Sequence, residues 1–136
     1  MWEKAFDISI KLTQFEDKIY LSKLKKHDYQ FALGRLIVRY NDPINIFERY
    51  KYKDGIKNYT CWENAKFIEV LNEAKKEFDP VKRMRIIEKA ESILLDEMPI
   101  TPLYFYNYTM LKKNYVNGIY SNIVGDLLFD ETSVTR

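Results

Sequence analysis

The segment that most restricts the fold is a pair of amphipathic patterns that meet at one Asp-Pro step. The first, "ENAKFIEVLNEAKKEF", repeats apolar residues at helical spacing: Phe67, Val70, Leu71, Ala74 and Phe78. The second continues with Ile86, Ile87, Ala90, Ile93 and Leu94. Asp79 is suited to cap the second helix, with Pro80 at its first position. The pattern predicts two helices that pack as an antiparallel pair across a tight turn.

The N-terminal third of the chain predicts a strand, a helix and a second strand. "DISIKL" alternates apolar and polar residues, which is typical of a half-buried strand. "EDKIYLSKLKKHDY" has helical spacing, with acids at its start and lysines at its end. "QFALGRLIV" is apolar on both faces, like a strand inside a sheet. This order predicts a βαβ unit with parallel pairing.

The rest of the chain predicts loops and shorter strands. "YNDP" is a turn, since Pro43 disfavours the helical region for Asp42, and "YKYKDGIKNY" is a polar loop. After Pro99 and Pro102 end the second helix, "ITPLYFYNYTML" predicts a strand, and "NGIY" and "DLLF" are short strand-like pieces. The fold class is therefore mixed α/β, with a partly parallel sheet, a helix pair and a strand-rich tail.

The aromatic run in the predicted strand raises a functional question. Tyr104, Tyr106 and Tyr108 would share one face of a strand, and Leu103 and Phe105 the other. The tyrosine face can line something polar while the other face joins the core. The alternative is that all four aromatic residues belong to the core.

Composition excludes several classes of protein. The length of 136 residues allows one domain with a core, and a net charge of +2 does not indicate a nucleic-acid binder. Cys61 is the only cysteine, so an internal disulfide is excluded. No apolar run is long enough for a membrane span, and "MWEKAFDISIKL" lacks the pattern of a signal peptide. As written, the chain is expected to stay in the cytoplasm.

The reactive residues do not assemble into a catalytic motif. His27, the only histidine, lies in the charged "KKHDY" and is interpreted as solvated. Asp96 and Glu97 are interpreted as a solvated helix end rather than paired catalytic acids, and Cys61 as an inert thiol. We therefore expect no enzyme activity, no catalytic residue, no metal and no cofactor.

Two surface motifs have a simpler alternative. Asn58 and Asn107 both begin "NYT", which matches the glycosylation acceptor pattern but is frequent by chance. "RYKYKDGIKNY" interleaves lysines and tyrosines, which could bind a single strand of nucleic acid by charge and stacking, yet a solvated loop explains the pattern better.

The order of segments resembles a known family. "YNDPINIF", the helix pair followed by "MPITPLYFYNYTMLKK", and "YVNGIYSN" together resemble the C-terminal quarter of the oligopeptide-binding proteins of ABC importers, family 5 of the bacterial extracellular solute-binding proteins. The resemblance runs from about residue 8 to residue 129. It implies a C-terminal portion of a two-lobe periplasmic-binding-protein fold, with residues 1–102 in the second lobe. Residues 103–136 would form a hinge-crossing strand and the tail of the first lobe.

The resemblance also implies a function and a site. The family binds peptides for import, so a peptide ligand, the ABC permease and the remaining lobes would be partners, in an extracytoplasmic location. Arg35, Leu36 and Ile37 occupy the strand whose backbone pairs with an extended peptide. Tyr104 and Tyr106 would face the cleft, while Leu103 and Phe105 would pack in the core.

Two positions depart from the family pattern. Arg39 stands where peptide-binding members often have an aspartate that holds the peptide's α-amino group, and Leu36 replaces a usual tryptophan. An arginine would repel an ammonium group there. Asp42, three residues on, is a candidate substitute, although it lies past the turn and is expected to point elsewhere.

The chain is also about a quarter as long as its family members, which suggests a truncated or split product. The leading interpretation is solute binding for peptide import. The alternatives are a gene remnant that binds nothing and a protein-interaction module that uses its exposed aromatic strands.

Overall fold

The structure is a computed structural model that describes residues 2–135, and these residues form two compact units that divide after Gly34. The predicted lobe boundary at residue 102 concerns a larger, two-lobe protein and stays a prediction. Each unit is described by itself below.

The first unit contains two helices and irregular chain. Helix α1 spans Trp2–Phe6 and α2 spans Asp17–Lys25, which confirms the predicted helix. The rings of Trp2 and Phe31 meet edge to face at 5.7 Å, and the Tyr20 hydroxyl donates to the Leu33 carbonyl at 2.8 Å. Leu24 is buried on α2.

The predicted strands of the βαβ unit are absent from the described residues. Residues 8–16 and 32–38 are irregular, and Leu12 is 92% exposed. An alternating or apolar run becomes a strand only when another segment pairs with its backbone and covers its apolar face. Within residues 2–135 no segment does so, and the prediction of parallel pairing is wrong for this chain.

The second unit is built around helices α4, Ala65–Lys76, and α5, Pro80–Glu97. A short helix α3, Ile44–Phe47, continues into a 3-10 turn, Glu48–Tyr50, and completes the core. Phe67 lies at its centre, with Trp62 at 4.9 Å and Phe47 at 6.3 Å between ring centroids. The buried residues are Ile44, Phe47, Tyr50, Phe67, Val70, Leu71, Ala74, Ile86, Ile87, Ala90 and Leu94.

The predicted helix pair is confirmed, with one correction. The Asp79 carboxylate accepts from the backbone amides of Val81 and Lys82 at 2.9 and 3.0 Å, and Pro80 begins α5. Phe78, predicted on the buried stripe, is 96% exposed. It lies after the last residue of α4, where the chain has left the helical path that aligns the stripe.

The C-terminal tail forms two short antiparallel pairs. Strand β1, Val116–Asn117, pairs with β4, Ser133–Val134, and β2, Tyr120–Ser121, pairs with β3, Leu127–Leu128. Gly118 has φ +75, and a Cβ there would lie 2.0 Å from the Glu131 carbonyl oxygen, so the tail requires glycine at that position. The predicted mixed α/β class and strand-rich tail are confirmed, with antiparallel pairing only among the described residues.

Candidate functional site

Residues 35–42, which contain the predicted ligand strand, are held by side chains rather than by a neighbouring strand. The Asn45 Oδ1 accepts from the Arg39 backbone amide at 2.9 Å, and the Arg49 guanidinium donates to the Ile37 carbonyl. Asn45 lies on α3, and Arg49 lies four residues later on the 3-10 turn that continues it, about one helical turn away. One helical turn is close to the length of two residues of extended chain, so these two side chains can bind the backbone at Arg39 and at Ile37.

Asp42 is engaged within the fold. Its Oδ1 accepts from the Ile44 backbone amide at 2.9 Å, and its Oδ2 lies 2.8 Å from the Arg83 Nη2 of α5. Both side chains of this ion pair are about three-quarters buried. The carboxylate thus binds the amide of the first residue of α3 and joins the turn to α5.

The aromatic segment 103–108 is exposed and irregular. Tyr104 is 72% exposed and Tyr106 56%, and Tyr106 meets Tyr108 edge to face at 5.4 Å. The predicted core positions are wrong for the described chain, because Leu103 is 46% and Phe105 97% exposed. Neither the expected strand nor a core contact forms here, since no second layer of the described residues covers the segment.

One contact joins the two predicted ligand segments. The guanidinium carbon of Arg35 lies 5.5 Å from the centroid of the Tyr106 ring, a cation–π geometry. Both side chains are exposed, so the ring and the cation remain open to a third group. Leu36, Ile37 and Arg39 also expose their side chains.

The remaining candidate residues either hold the fold together or are exposed. Glu97 accepts from the Trp62 indole and the Asn64 amide, each at 2.6 Å, and His27 and Cys61 are exposed. Within residues 2–135, no group of three or more His, Cys, Asp or Glu side chains is arranged to hold a metal ion. None of the helices described is long and apolar enough to cross a membrane.

The loop predicted to be solvated is partly core. Tyr50 is 5% exposed and Lys51 8%, and the Lys51 ammonium donates to Asn72 Oδ1 at 2.6 Å. Asn58 is 3% exposed, and its Nδ2 donates to the carbonyls of Tyr52 and Trp62 at 2.8 Å each. A buried amide with these partners is not a glycosylation acceptor in this fold. The prediction of a solvated polar loop is therefore wrong at these three residues.

Sequence reasoning did not find the residues that support residues 35–42. Asn45, Arg49 and Arg83 are polar residues on or beside helices, and such residues are usually solvated. The i, i+4 spacing of Asn45 and Arg49 is a signal in the sequence, but it does not name the backbone that they bind.

Comparisons with known proteins give close relatives. No protein-family model matches the chain. The oligopeptide-binding protein OppA of Bacillus subtilis strain 168 is 36% identical over 129 residues, covering 95% of this chain and 24% of that protein. The dipeptide-binding protein DppE of the same organism is 31% identical over 123 residues, 90% of this chain and 22% of that protein.

A solved structure, that of the pheromone receptor PrgZ, has the same fold. It matches with a TM-score of 0.78 and 18% identity, over 99% of this chain and 26% of that one. The chain thus spans about a quarter of the length of the proteins it matches. The resemblance and the fold class predicted from the sequence are confirmed.

Proposed function

We propose that this chain, which is homologous to the family 5 extracellular solute-binding proteins, supplies one wall of a peptide-binding cleft for an ABC importer. It acts by binding rather than by catalysis, outside the cytoplasm, with the permease and the remaining parts of a two-lobe binding protein as partners. Its relatives are named for binding oligopeptides and dipeptides, which supports this class of ligand.

The observation that carries the proposal is the contact between Arg35 and Tyr106. The sequence resemblance assigns these residues to two separate ligand segments, and they lie 5.5 Å apart, both exposed. An extended peptide laid along residues 35–37 would pass the aromatic ring, which offers a face for an apolar or cationic side chain.

Binding through backbone pairing predicts that peptides of many sequences are accepted. Strand addition uses main-chain groups that every peptide has, so residues 35–37 would accept many sequences. Arg39 would determine which N-terminal groups of the peptide are accepted, because it stands where the resemblance places an amino-group anchor. An arginine fork suits carboxylates, so ligands with a blocked or absent α-amino group are favoured.

A chimera tests the proposal. The matching segment of the Bacillus subtilis oligopeptide-binding protein is replaced with this chain, and binding of a mixed pool of short peptides is measured by calorimetry. We expect the chimera to bind peptide and Tyr106→Ala to lose about tenfold in affinity. Phe78→Ala, which changes an exposed aromatic residue between α4 and α5, should lose none. Absence of peptide binding by a folded chimera would contradict the proposal and favour a non-binding remnant.

The role of Arg39 has its own measurement. The affinity of one peptide is compared with and without N-acetylation, in the chimera and in its Arg39→Asp variant. We expect Arg39→Asp to shift the preference toward the free amino group. An equal ratio of the two affinities in both proteins would mean that Arg39 does not contact that end of the ligand.

A further inference from the structure

We infer that Arg83 is a positioning residue for residues 35–42, an inference that rests on the proposed function. Arg83 lies on α5, whose buried face includes Ile86 and Ile87. Its guanidinium reaches Asp42 Oδ2 at 2.8 Å. Arg83 therefore connects a helix of the buried core to the turn that ends the ligand segment, residues 35–42.

The connection continues from Asp42 to the ligand segment itself. The other oxygen of Asp42 accepts from the Ile44 amide and so fixes the first turn of α3. The same helical segment carries Asn45 and Arg49, which bind the backbone at Arg39 and Ile37. The contacts made by Asp42, Asn45 and Arg49 thus hold the backbone of residues 37–42. Each of these contacts depends on the position of α3 and the turn that continues it.

Arg83 is suited to this role because its ion pair is shielded. Exposed ion pairs contribute little, since water and salt screen them, but Asp42 and Arg83 retain only about a quarter of their side-chain exposure. Each is also a charge whose burial is costly without its partner. Loss of the guanidinium would leave the Asp42 oxygen unpaired and release the turn.

Among the described residues, part of the backbone of the ligand segment has no hydrogen-bond partner. Within residues 2–135, the backbone groups of Leu36 and Val38 make no hydrogen bond in this structure. A segment with few bonds of its own depends on the side chains that fix its other side. Ordering by Arg83 would lower the entropy that an incoming peptide has to remove.

Hydrogen exchange on the 136-residue chain tests the inference. In Arg83→Met, which keeps most of the apolar stem, we expect exchange of the Arg39 and Asp42 amides, which donate to Asn45 Oδ1 and to the Tyr40 carbonyl, to rise about tenfold. Exchange of α4 and α5 should be unchanged. Arg83→Lys should retain part of the protection. Arg85→Met removes an exposed arginine from the same helix and is the matched control.

The outcomes separate this inference from the proposed function. A uniform rise in exchange over α4, α5 and the Arg39 and Asp42 amides, or no difference between Arg83→Met and Arg85→Met, would overturn it. In the chimera, Arg83→Met should also weaken peptide binding several-fold, and unchanged affinity would overturn the positioning role. A wild-type chimera that binds no peptide would contradict the proposed function, while exchange would still report whether Arg83 orders the segment.

Discussion

The side-chain amide of Asn64 donates to Glu97 Oε1 at 2.6 Å, which joins the residue that caps α4 to the last residue of α5. The Asn64 Oδ1 meanwhile accepts from the Phe67 amide at 2.9 Å. One side chain thus caps a helix and fixes its antiparallel neighbour. The second Glu97 oxygen accepts from the Trp62 indole at 2.6 Å.

Replacement of Glu97 should destabilise the helix pair. Glu97→Ala removes the acceptor of two donors, and we expect the free energy of unfolding to fall by about 1 kcal/mol, since both partners remain reachable by water. Chemical denaturation measures this. Asp96→Ala is the control, because Asp96 is exposed and its contact with the Ser92 hydroxyl is long, at 3.4 Å. Equal effects of the two variants would contradict the assigned role of Glu97.

Replacement of Asn58 should cost more, because its amide is buried. Asn58→Ala leaves the carbonyls of Tyr52 and Trp62 without donors, and we expect a loss of about 3 kcal/mol. Asn107 begins the same "NYT" tripeptide and is exposed, so Asn107→Ala should change stability by less than about 0.5 kcal/mol. Equal melting temperatures of Asn58→Ala and Asn107→Ala would refute the structural role of Asn58.

Alanine substitutions of two phenylalanines near the helix pair should differ strongly in their effect on stability. Phe67 is fully buried, and Phe67→Ala is expected to cost about 3 to 5 kcal/mol through lost contacts and a cavity. Phe78 is 96% exposed, and Phe78→Ala should be nearly neutral. Denaturant midpoints measure both, and a large loss in Phe78→Ala would place it in the core, as the sequence pattern predicts.

Stability should fall at alkaline pH because of Tyr50. Burial raises the pKa of the Tyr50 phenol above its ordinary 10.0, against a smaller opposing effect of Arg49. The folded state therefore holds this proton more tightly than the unfolded chain. Its contribution to stability is complete below pH 10.0 and is lost as pH rises through the raised value.

The Tyr50 prediction is measured by denaturation at about pH 9 and about pH 11. Tyr50→Phe should lose less stability over that interval than the wild-type protein. Tyr52→Phe, at a neighbouring tyrosine that is 51% exposed, should behave like the wild type. The explanation by burial is wrong if both variants lose the same amount as the wild type.

The exposed aromatic segment should promote self-association. Phe105 and Leu111 are 97% and 96% exposed beside several exposed tyrosines, and contiguous apolar surface of this kind tends to associate. Replacing both with serine should shift the sedimentation distribution toward monomer, whereas Phe78→Ser should not. A wild-type chain that sediments as a clean monomer at high concentration would contradict this expectation.

The sequence by itself determined the helix pair and its ends. A helix satisfies its hydrogen bonds within one segment, and its caps lie within a few residues, so Asp79, Pro80 and the apolar stripe are sufficient to predict α5. The same stripe identified the buried residues from Phe67 to Leu94, except that Ile93 is only partly buried and Phe78, just beyond the end of α4, is exposed.

Only the tertiary structure decided the strands, the buried polar groups and the candidate site. A strand needs a partner from elsewhere in the chain, and the apolar run of residues 31–38 has none among the described residues. Lys51 and Asn58 are buried because distant atoms satisfy their polar groups, which local sequence cannot reveal. For the same reason the ion pair of Asp42 with Arg83, and the meeting of Arg35 with Tyr106, follow from packing between segments that the chain brings together only when it folds.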